Sequence, residues 1–185
     1  YPEIEVNISV TDSSHLEMML NEGAIDLAFI QRPYRSEGFD YVSFDPVKLV
    51  AVINKKCLPK PPANPFDYNA LGALPLVLLH RAKDSGTYEM LIDLFRKAGV
   101  NPKVIMHITQ PGVIIDWLES GLAAATLLPS SEVCAEKLKE CYVVDVFPSP
   151  QIFYPAMVKI PAVNWCSQVM ELVAEGYPFP INTQG

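Results

Sequence analysis

The chain has 185 residues, of which 50% are hydrophobic, and its mean hydropathy is +0.18. This composition supplies enough apolar material for a packed core and argues against intrinsic disorder. The formal net charge is −7 and the sequence contains no run of Lys or Arg, so electrostatics argue against nucleic-acid binding by this chain itself. No apolar stretch approaches the length of a membrane span.

The first 30 residues predict a β-α-β unit. Residues 4–10 alternate between apolar and polar side chains, which is typical of a half-buried strand. Ser14 and Glu17 have the spacing of a capping box, and Gly23 ends the helix that this box begins. Residues 24–30 form a nearly unbroken apolar run, as expected for a parallel strand that is covered on both faces. The crossover is therefore expected to be right-handed.

The rest of the chain continues the alternation. Apolar runs predict strands at 41–44, 47–53, 74–79, 103–108, 122–128, 142–147 and 153–160, and apolar residues at helical spacing predict helices at 85–98, 111–120, 130–139 and 162–175. The prolines between residues 55 and 66 predict an extended surface loop. Val113, Ile114, Trp117 and Leu118 are predicted to form the buried side of their helix. We therefore predict an α/β protein with largely parallel sheets.

Three strand-to-helix turns, at residues 11–14, 84–87 and 109–110, are unusually polar. In open parallel sheets, ligands bind beyond the carboxyl ends of the strands, where helices begin. Hydroxyl groups, free backbone N–H groups and the helix dipole together favour a carboxylate or a similar anion. The alternative is that each turn only caps its helix.

Gln31 and Arg32 follow a buried strand and are expected on the same rim, where Arg32 is a candidate partner for a ligand anion. The alternative for Arg32 is an ordinary surface arginine. His80 and Arg81 also end a strand, and the same two interpretations apply to them.

A catalytic function has little support in the sequence. Motifs such as GxSxG, HExxH, a Walker loop and GxGxxG are absent. The three histidines are scattered, and His107 is interpreted as a core or sheet-face residue. The cysteines are interpreted as reduced, mostly buried thiols of a cytosolic protein, with a Cys134–Cys141 disulfide as the open alternative. We predict no catalytic residue, no metal and no cofactor.

The order of the motifs resembles the effector-binding domain of LysR-type transcriptional regulators. The likeness spans nearly the whole chain, and no single motif is diagnostic. Three stretches carry it: Tyr1 to Val6 followed by Gly23-Ala24-Ile25-Asp26-Leu27-Ala28, then Asp84-Ser85-Gly86-Thr87 with Leu91, Phe95 and Gly99, and finally Trp117-Leu118-Glu119-Ser120-Gly121-Leu122 through Leu128-Pro129.

The resemblance implies two Rossmann-like lobes joined by two crossover strands, the type 2 periplasmic-binding-protein-like fold. Lobe I would comprise residues 1–47 and 154–185, and lobe II residues 48–153, with a small effector in the cleft. Effector contacts would come from seven residues: Ser13, Gln31, Arg32, Ser85, Thr87, Thr109 and Gln110.

Two features of the family are expected to lie outside this chain. They are the DNA-binding winged helix-turn-helix and the strand and helix with which the family's effector domain usually begins. The chain starts at Tyr1 without an initiator Met or a signal peptide and is interpreted as a fragment.

The resemblance also implies a function and partners. The domain would sense a small polar or anionic metabolite, with an anion favoured, to control transcription in the cytoplasm, as a homodimer or homotetramer with no membrane contact. Residues 3–10 and 85–98 would be interface elements, and DNA would be bound only through the helix-turn-helix domain.

Two other functions fit the same architecture. A periplasmic-type solute receptor of a transporter would have a secretory leader upstream of Tyr1. An enzyme on the bilobal fold, such as a transferase or a dehydratase, would need a reactive Cys or acid in the cleft.

Overall fold

A computed structural model describes residues 5–30, 38–42, 44–79, 86–152, 156–159 and 164–174. The helices are α1 (Ser13–Glu22), α2 (Tyr68–Gly72), α3 (Gly86–Lys97), α4 (Pro111–Glu119) and α5 (Asn164–Ala174). The strands are β1 (Ala28–Phe29), β2 (Phe39–Val42), β3 (Val47–Asn54), β4 (Phe66–Asp67), β5 (Leu76–Leu79), β6 (Val104–Ile108), β7 (Ala125–Pro129), β8 (Cys141–Phe147), β9 (Gln151–Ile152) and β10 (Ala156–Lys159). Two 3-10 turns cover Ser130–Glu132 and Ala135–Lys137.

The larger of two sheets has the strand order β4-β8-β3-β7-β5-β6, and β9 pairs with one end of β3. Strand β5 runs parallel to β6 and β7, and β4 runs parallel to β8. Strand β3 is antiparallel to β7, β8 and β9. All of these strands come from one continuous stretch of chain between β3 and β9.

Helices cover both faces of the larger sheet. Leu49, Ala51 and Ile53 of β3 belong to the core cluster that contains Leu91 and Phe95 of α3. The alternating residues of β3, Val50 and Val52, belong to the cluster on the other face with Ile114 and Leu118 of α4. Burial on both faces explains why these strands read as unbroken apolar runs.

The smaller sheet has the order β1-β10-β2, and both of its pairings are antiparallel. Leu20 of α1 packs on one face against Met157 of β10, and Cys166 of α5 packs on the other face with Val158 of β10. The chain passes between the sheets twice, from β2 to β3 and from β9 to β10. We call β3 and β9, which carry the chain across, the crossover strands.

The prediction of a strand at residues 4–10 is wrong for the described part of that segment. Residues 5–12 have no regular structure, and Val6, Ile8 and Val10 are 71%, 83% and 85% exposed. No described strand pairs with the segment, so its apolar face has nothing to pack against. The expected parallel β-α-β unit is not formed, since β1 is short and pairs antiparallel with β10.

Three further predictions are corrected by the structure. The sheets are not largely parallel, because β3 and the whole smaller sheet are antiparallel to their neighbours. Trp117 and Val113 are 45% and 36% exposed, whereas Ile114 and Leu118 of α4 are buried in the core cluster and Ile115 packs against it. The helix expected at 130–139 is replaced by the two 3-10 turns.

Candidate functional site

Helices α3 and α4 both begin at the carboxyl edge of the larger sheet. Strands β5 and β6 are adjacent and parallel, with Leu79 opposite Ile108. The chain leaves β5 toward α3 and leaves β6 toward α4, so both helices begin at this edge. Because α3 and α4 cover opposite faces of the sheet, their amino-termini flank the edge from two sides.

Thr87 lies in the first turn of α3, and its side chain is only 6% exposed. Leu91 and Phe95 follow at intervals of four residues and are fully buried. The three side chains therefore lie along one face of α3, and Thr87 is fixed in position by the packing of the whole helix.

The amino-terminus of α4 is open. Gln110 is the N-cap, with φ −119° and ψ 117°, and its side chain makes no capping hydrogen bond. Thr109 and Gln110 are exposed, and a Cβ placed on Gly112 would have no heavy atom within 4 Å. The backbone N–H groups of the first helical turn have no intrahelical acceptor, and the helix dipole adds partial positive charge there. This geometry suits a carboxylate or another small anion.

The crossover strands reach the same edge of the sheet. Since β3 is antiparallel to β7, its first residue Val47 lies at the edge where β7 ends, and Val47 pairs there with Ile152 of β9. Lys48 on β3 forms an ion pair with Asp145, in which its Nζ lies 2.7 Å from Oδ1 of the carboxylate. A ligand held at this edge would therefore lie beside both passages of the chain between the sheets.

The turn before α1 differs from its prediction in one detail. Asp12, not Ser14, is the N-cap, and its carboxylate accepts a hydrogen bond from the backbone N–H of His15 at 2.8 Å. Ser13 is the first residue of α1 and is partly buried.

Three predicted contacts, Gln31, Arg32 and Ser85, lie outside the described residues. The same holds for His80 and Arg81.

His107 is exposed on β6, which ends the larger sheet in the described part of the chain. Its ring lies 5.3 Å from the ring of Tyr88 on α3, and its Nε2 is 3.3 Å from the Tyr88 hydroxyl. The position agrees with a sheet-face residue.

The cysteines bear on the enzyme alternative. All four are free thiols, of which Cys141 and Cys166 are buried. Burial raises the pKa of Cys57 and Cys166, and burial together with Glu119 raises the pKa of Cys141 to about 12. Thiols with raised pKa values are poor nucleophiles at neutral pH, so these three residues do not suit covalent catalysis.

One recess of the described residues lies away from this edge. A surface recess of about 390 Å³ lies at the carboxyl end of α3, the opposite end from Thr87, where Arg96 is paired with Asp93 at 2.8 Å. Within the described ranges, no group of three or more His, Cys, Asp and Glu residues has metal-binding geometry. Among the described helices, none has the length and apolarity to cross a membrane.

Sequence reasoning missed three residues that hold the larger sheet, of which Tyr68 and Ser149 lie toward this edge and Asn54 lies at the opposite edge. Tyr68 donates a hydrogen bond to the Pro148 carbonyl, Ser149 contacts the backbone of β3, and Asn54 joins β3 to the end of α4. Each joins segments that are far apart in sequence, so no local pattern could have identified them.

The family model of the LysR substrate binding domain matches residues 1–152. The HTH-type transcriptional regulator BsdA of Bacillus subtilis is 20% identical over 158 residues, which are 85% of this chain. The chain spans 54% of the length of that relative.

Solved structures share the fold at low sequence identity. The C-terminal domain of a "probable LysR family transcriptional regulator" from Rhodococcus sp. RHA1 has a TM-score of 0.77 at 20% identity, over 94% of this chain and 85% of that one. The CcmR regulatory domain of Synechocystis PCC6803, solved in complex with 2-PG, has a TM-score of 0.76 at 18% identity, over 95% and 84%.

These matches confirm the expected type 2 periplasmic-binding-protein-like fold. The matched proteins from Bacillus subtilis and Rhodococcus are named as transcriptional regulators. The family model covers far more than half of the sequence, and the chain therefore belongs to the family of LysR substrate binding domains.

Proposed function

We propose that this chain is the effector-binding and oligomerisation domain of a LysR-type transcriptional regulator and that it senses a small polar or anionic metabolite. One observation carries the proposal: helices α3 and α4 begin, and the crossover strands β3 and β9 pair, at the same edge of the larger sheet. A ligand there can contact recognition groups and, at the same time, the strands that join the two sheets.

The proposed site has walls from two lobes. Thr87, Thr109 and Gln110 form the wall of lobe II (residues 48–153), and Ser85 completes it. Ser13, Gln31 and Arg32 form the opposite wall in lobe I (residues 1–47 and 154–185). The 2-PG bound by the Synechocystis relative supports a small ligand. Arg32 and the helix amino-termini favour an anion among such ligands.

The proposed mechanism is a shift between two lobe arrangements. A ligand that contacts both walls binds the closed arrangement better than the open one, and that difference in affinity sets how far the population shifts. In the whole regulator, the shift would reach DNA through a helix-turn-helix domain and a homodimer or homotetramer in the cytoplasm.

Thermal unfolding in the presence of candidate ligands tests the proposal. The panel contains 2-PG, other small carboxylates and phosphates, and neutral sugars of similar size. A ligand at 100 times its Kd adds about 2.7 kcal/mol of stability, which corresponds to roughly 5–10 °C in Tm for a chain of this length. If no small anion raises Tm at millimolar concentration, the proposal is wrong.

A pair of variants locates the site once an anion raises Tm. Gln110→Ala is expected to reduce the ligand-induced shift, because it removes a side chain from the proposed wall. Gln168→Ala makes the same change at an exposed position of α5 and is expected to keep the full shift. Equal shifts in both variants would remove Gln110 from the site.

A further inference from the structure

Tyr68 connects helix α3 to the crossover strands. It is the first residue of α2, and its side chain is 1% exposed. Its ring meets the Phe95 ring edge-on, with centroids 5.4 Å apart and an interplanar angle of 89°. Its hydroxyl donates a hydrogen bond of 3.0 Å to the Pro148 carbonyl. Burial raises the pKa of Tyr68 to about 12.

The residue after Pro148 joins the two crossover strands. The Ser149 hydroxyl oxygen accepts a hydrogen bond from the Leu49 N–H at 3.2 Å and lies 3.5 Å from the Leu49 carbonyl oxygen. Leu49 belongs to β3, and Ser149 lies two residues before the first residue of β9. Together with the pairing of Val47 and Ile152, this contact fixes one crossover strand against the other.

The opposite end of the path lies at the candidate site. Phe95 and Thr87 share one buried face of α3, two helical turns apart. A displacement of the first turn of α3 therefore moves Phe95 as part of the same helix. The path from Phe95 to Tyr68, and from Tyr68 to the backbone of Pro148 and Ser149, is continuous and packed.

We propose that Tyr68 is a positioning residue that couples the first turn of α3 to the crossover strands. The inference rests on the proposed effector site and adds how ligand binding at that site would displace the crossover strands. The competing role for Tyr68 is purely structural: a core side chain with a satisfied hydroxyl, which stabilises lobe II and transmits nothing.

A double-mutant cycle distinguishes the two roles without any ligand. Thr87→Val perturbs the start of α3, Tyr68→Phe removes only the hydroxyl, and the readout is the hydrogen-exchange rate of the Leu49 amide. In the wild-type background, we expect Thr87→Val to change that rate by about threefold or more, a coupling typical of connected sites. In the Tyr68→Phe background, the same substitution is expected to leave the rate nearly unchanged.

A matched control is available in Tyr142→Phe. Tyr142 lies on β8 with the Lys55 ammonium 5.7 Å from its ring centroid, so the substitution removes a hydroxyl outside the proposed path. The response to Thr87→Val should persist in this background. An equal response in the Tyr68→Phe background, or no response even in the wild type, would overturn the proposal.

A second variant covers the case in which Tyr68→Phe does not fold. Ser149→Ala breaks the path at the crossover strands and leaves the contact between Tyr68 and Phe95 intact. Because Ser149 is the acceptor of the Leu49 amide, this variant is read at the other amides of β3, where it should also abolish the response to Thr87→Val. The cycle is independent of the ligand screen. If the cycle shows coupling but no ligand raises Tm, only the proposed effector site is contradicted. If an anion raises Tm but the effects of Thr87→Val and Tyr68→Phe on the exchange rate are additive, only the proposed coupling is contradicted.

Discussion

Asn54 shows how one side chain holds the end of α4 to the larger sheet. Its Nδ2 donates to the Leu118 carbonyl at 2.7 Å, and its Oδ1 accepts from the Lys56 N–H at 2.9 Å. The residue is 1% exposed. The Leu118 carbonyl is one of the last four of the helix, which have no intrahelical donor. The same carbonyl accepts a hydrogen bond of 3.0 Å from the Gly121 N–H, so Asn54 adds a second donor that joins the helix end to β3.

We expect Asn54→Ala to lower the free energy of unfolding by about 1–2 kcal/mol, because it removes two hydrogen bonds that a buried side chain makes to the backbone. Urea denaturation measures the change, and an unchanged m-value would show that the native state is otherwise intact. Asn69→Ala is the control, since Asn69 is exposed and its side chain contacts only Asp67, two residues away. A similar loss in both variants would contradict the role assigned to Asn54.

At this scale, local sequence predicts contacts within a turn and misses those between distant segments. Thr109 and Gln110 were identified because a polar pair before Pro111 is a recognisable helix start. The contacts of Asn54, Tyr68 and Ser149 span 64, 80 and 100 residues. Only the folded topology brings those groups together, so periodicity and capping patterns carry no information about them.

The helices of the two sheets begin in different ways. Helix α1 starts at a capped turn, where Asp12 accepts the His15 N–H. Helix α4 starts at Gln110, which has the extended backbone of an N-cap but no side-chain capping bond. A Ser or Asp at this position would be the usual choice for stability. The uncapped turn leaves its amides available to a ligand, which is consistent with the proposed site.

We therefore expect Gln110→Ser to raise the free energy of unfolding by about 1 kcal/mol, because its hydroxyl caps a free amide of α4. Gln110→Asp supplies the same cap with a negative charge, so it should stabilise the fold and bind anions more weakly than Gln110→Ser. Thermal unfolding with and without ligand measures both effects. No gain in Tm for Gln110→Ser would show that the missing side-chain cap of α4 does not lower the stability of the protein.

The sequence predicted strands correctly where both faces of the strand are buried. It failed where strand formation depends on pairing with another strand. The runs that became β3, β5 and β7 are mostly apolar, with Lys48, Asn54 and Thr126 as exceptions, since both faces of the larger sheet are covered. The alternation of apolar and polar residues at 4–10 indicates only which side chains would share a face. No described strand pairs with this segment, and its described residues form no strand. Helix α2 has five residues, too few for an apolar pattern to repeat at helical spacing, and was missed.

At the scale of the molecule, the two sheets differ in how they are assembled from the chain. The larger sheet and both of its core clusters come from the continuous segment between Val47 and Ile152. The smaller sheet needs β1 and β2 from before that segment and β10 from after it. The smaller sheet therefore cannot form from one uninterrupted stretch, whereas the larger one can.

This difference predicts that a fragment of residues 45–152 folds alone. It retains the two core clusters and lies within the usual domain size of about 50–250 residues. We expect a cooperative urea transition and dispersed amide resonances, with stability below that of the whole chain because β9 loses its connection to β10. The fragment keeps Thr87, Thr109 and Gln110 but lacks Ser13, so an anion that stabilises the whole chain should bind it far more weakly. Undiminished affinity would place the ligand on lobe II alone and would contradict a site shared between lobes, whereas a non-cooperative transition would show that the larger sheet depends on the smaller one.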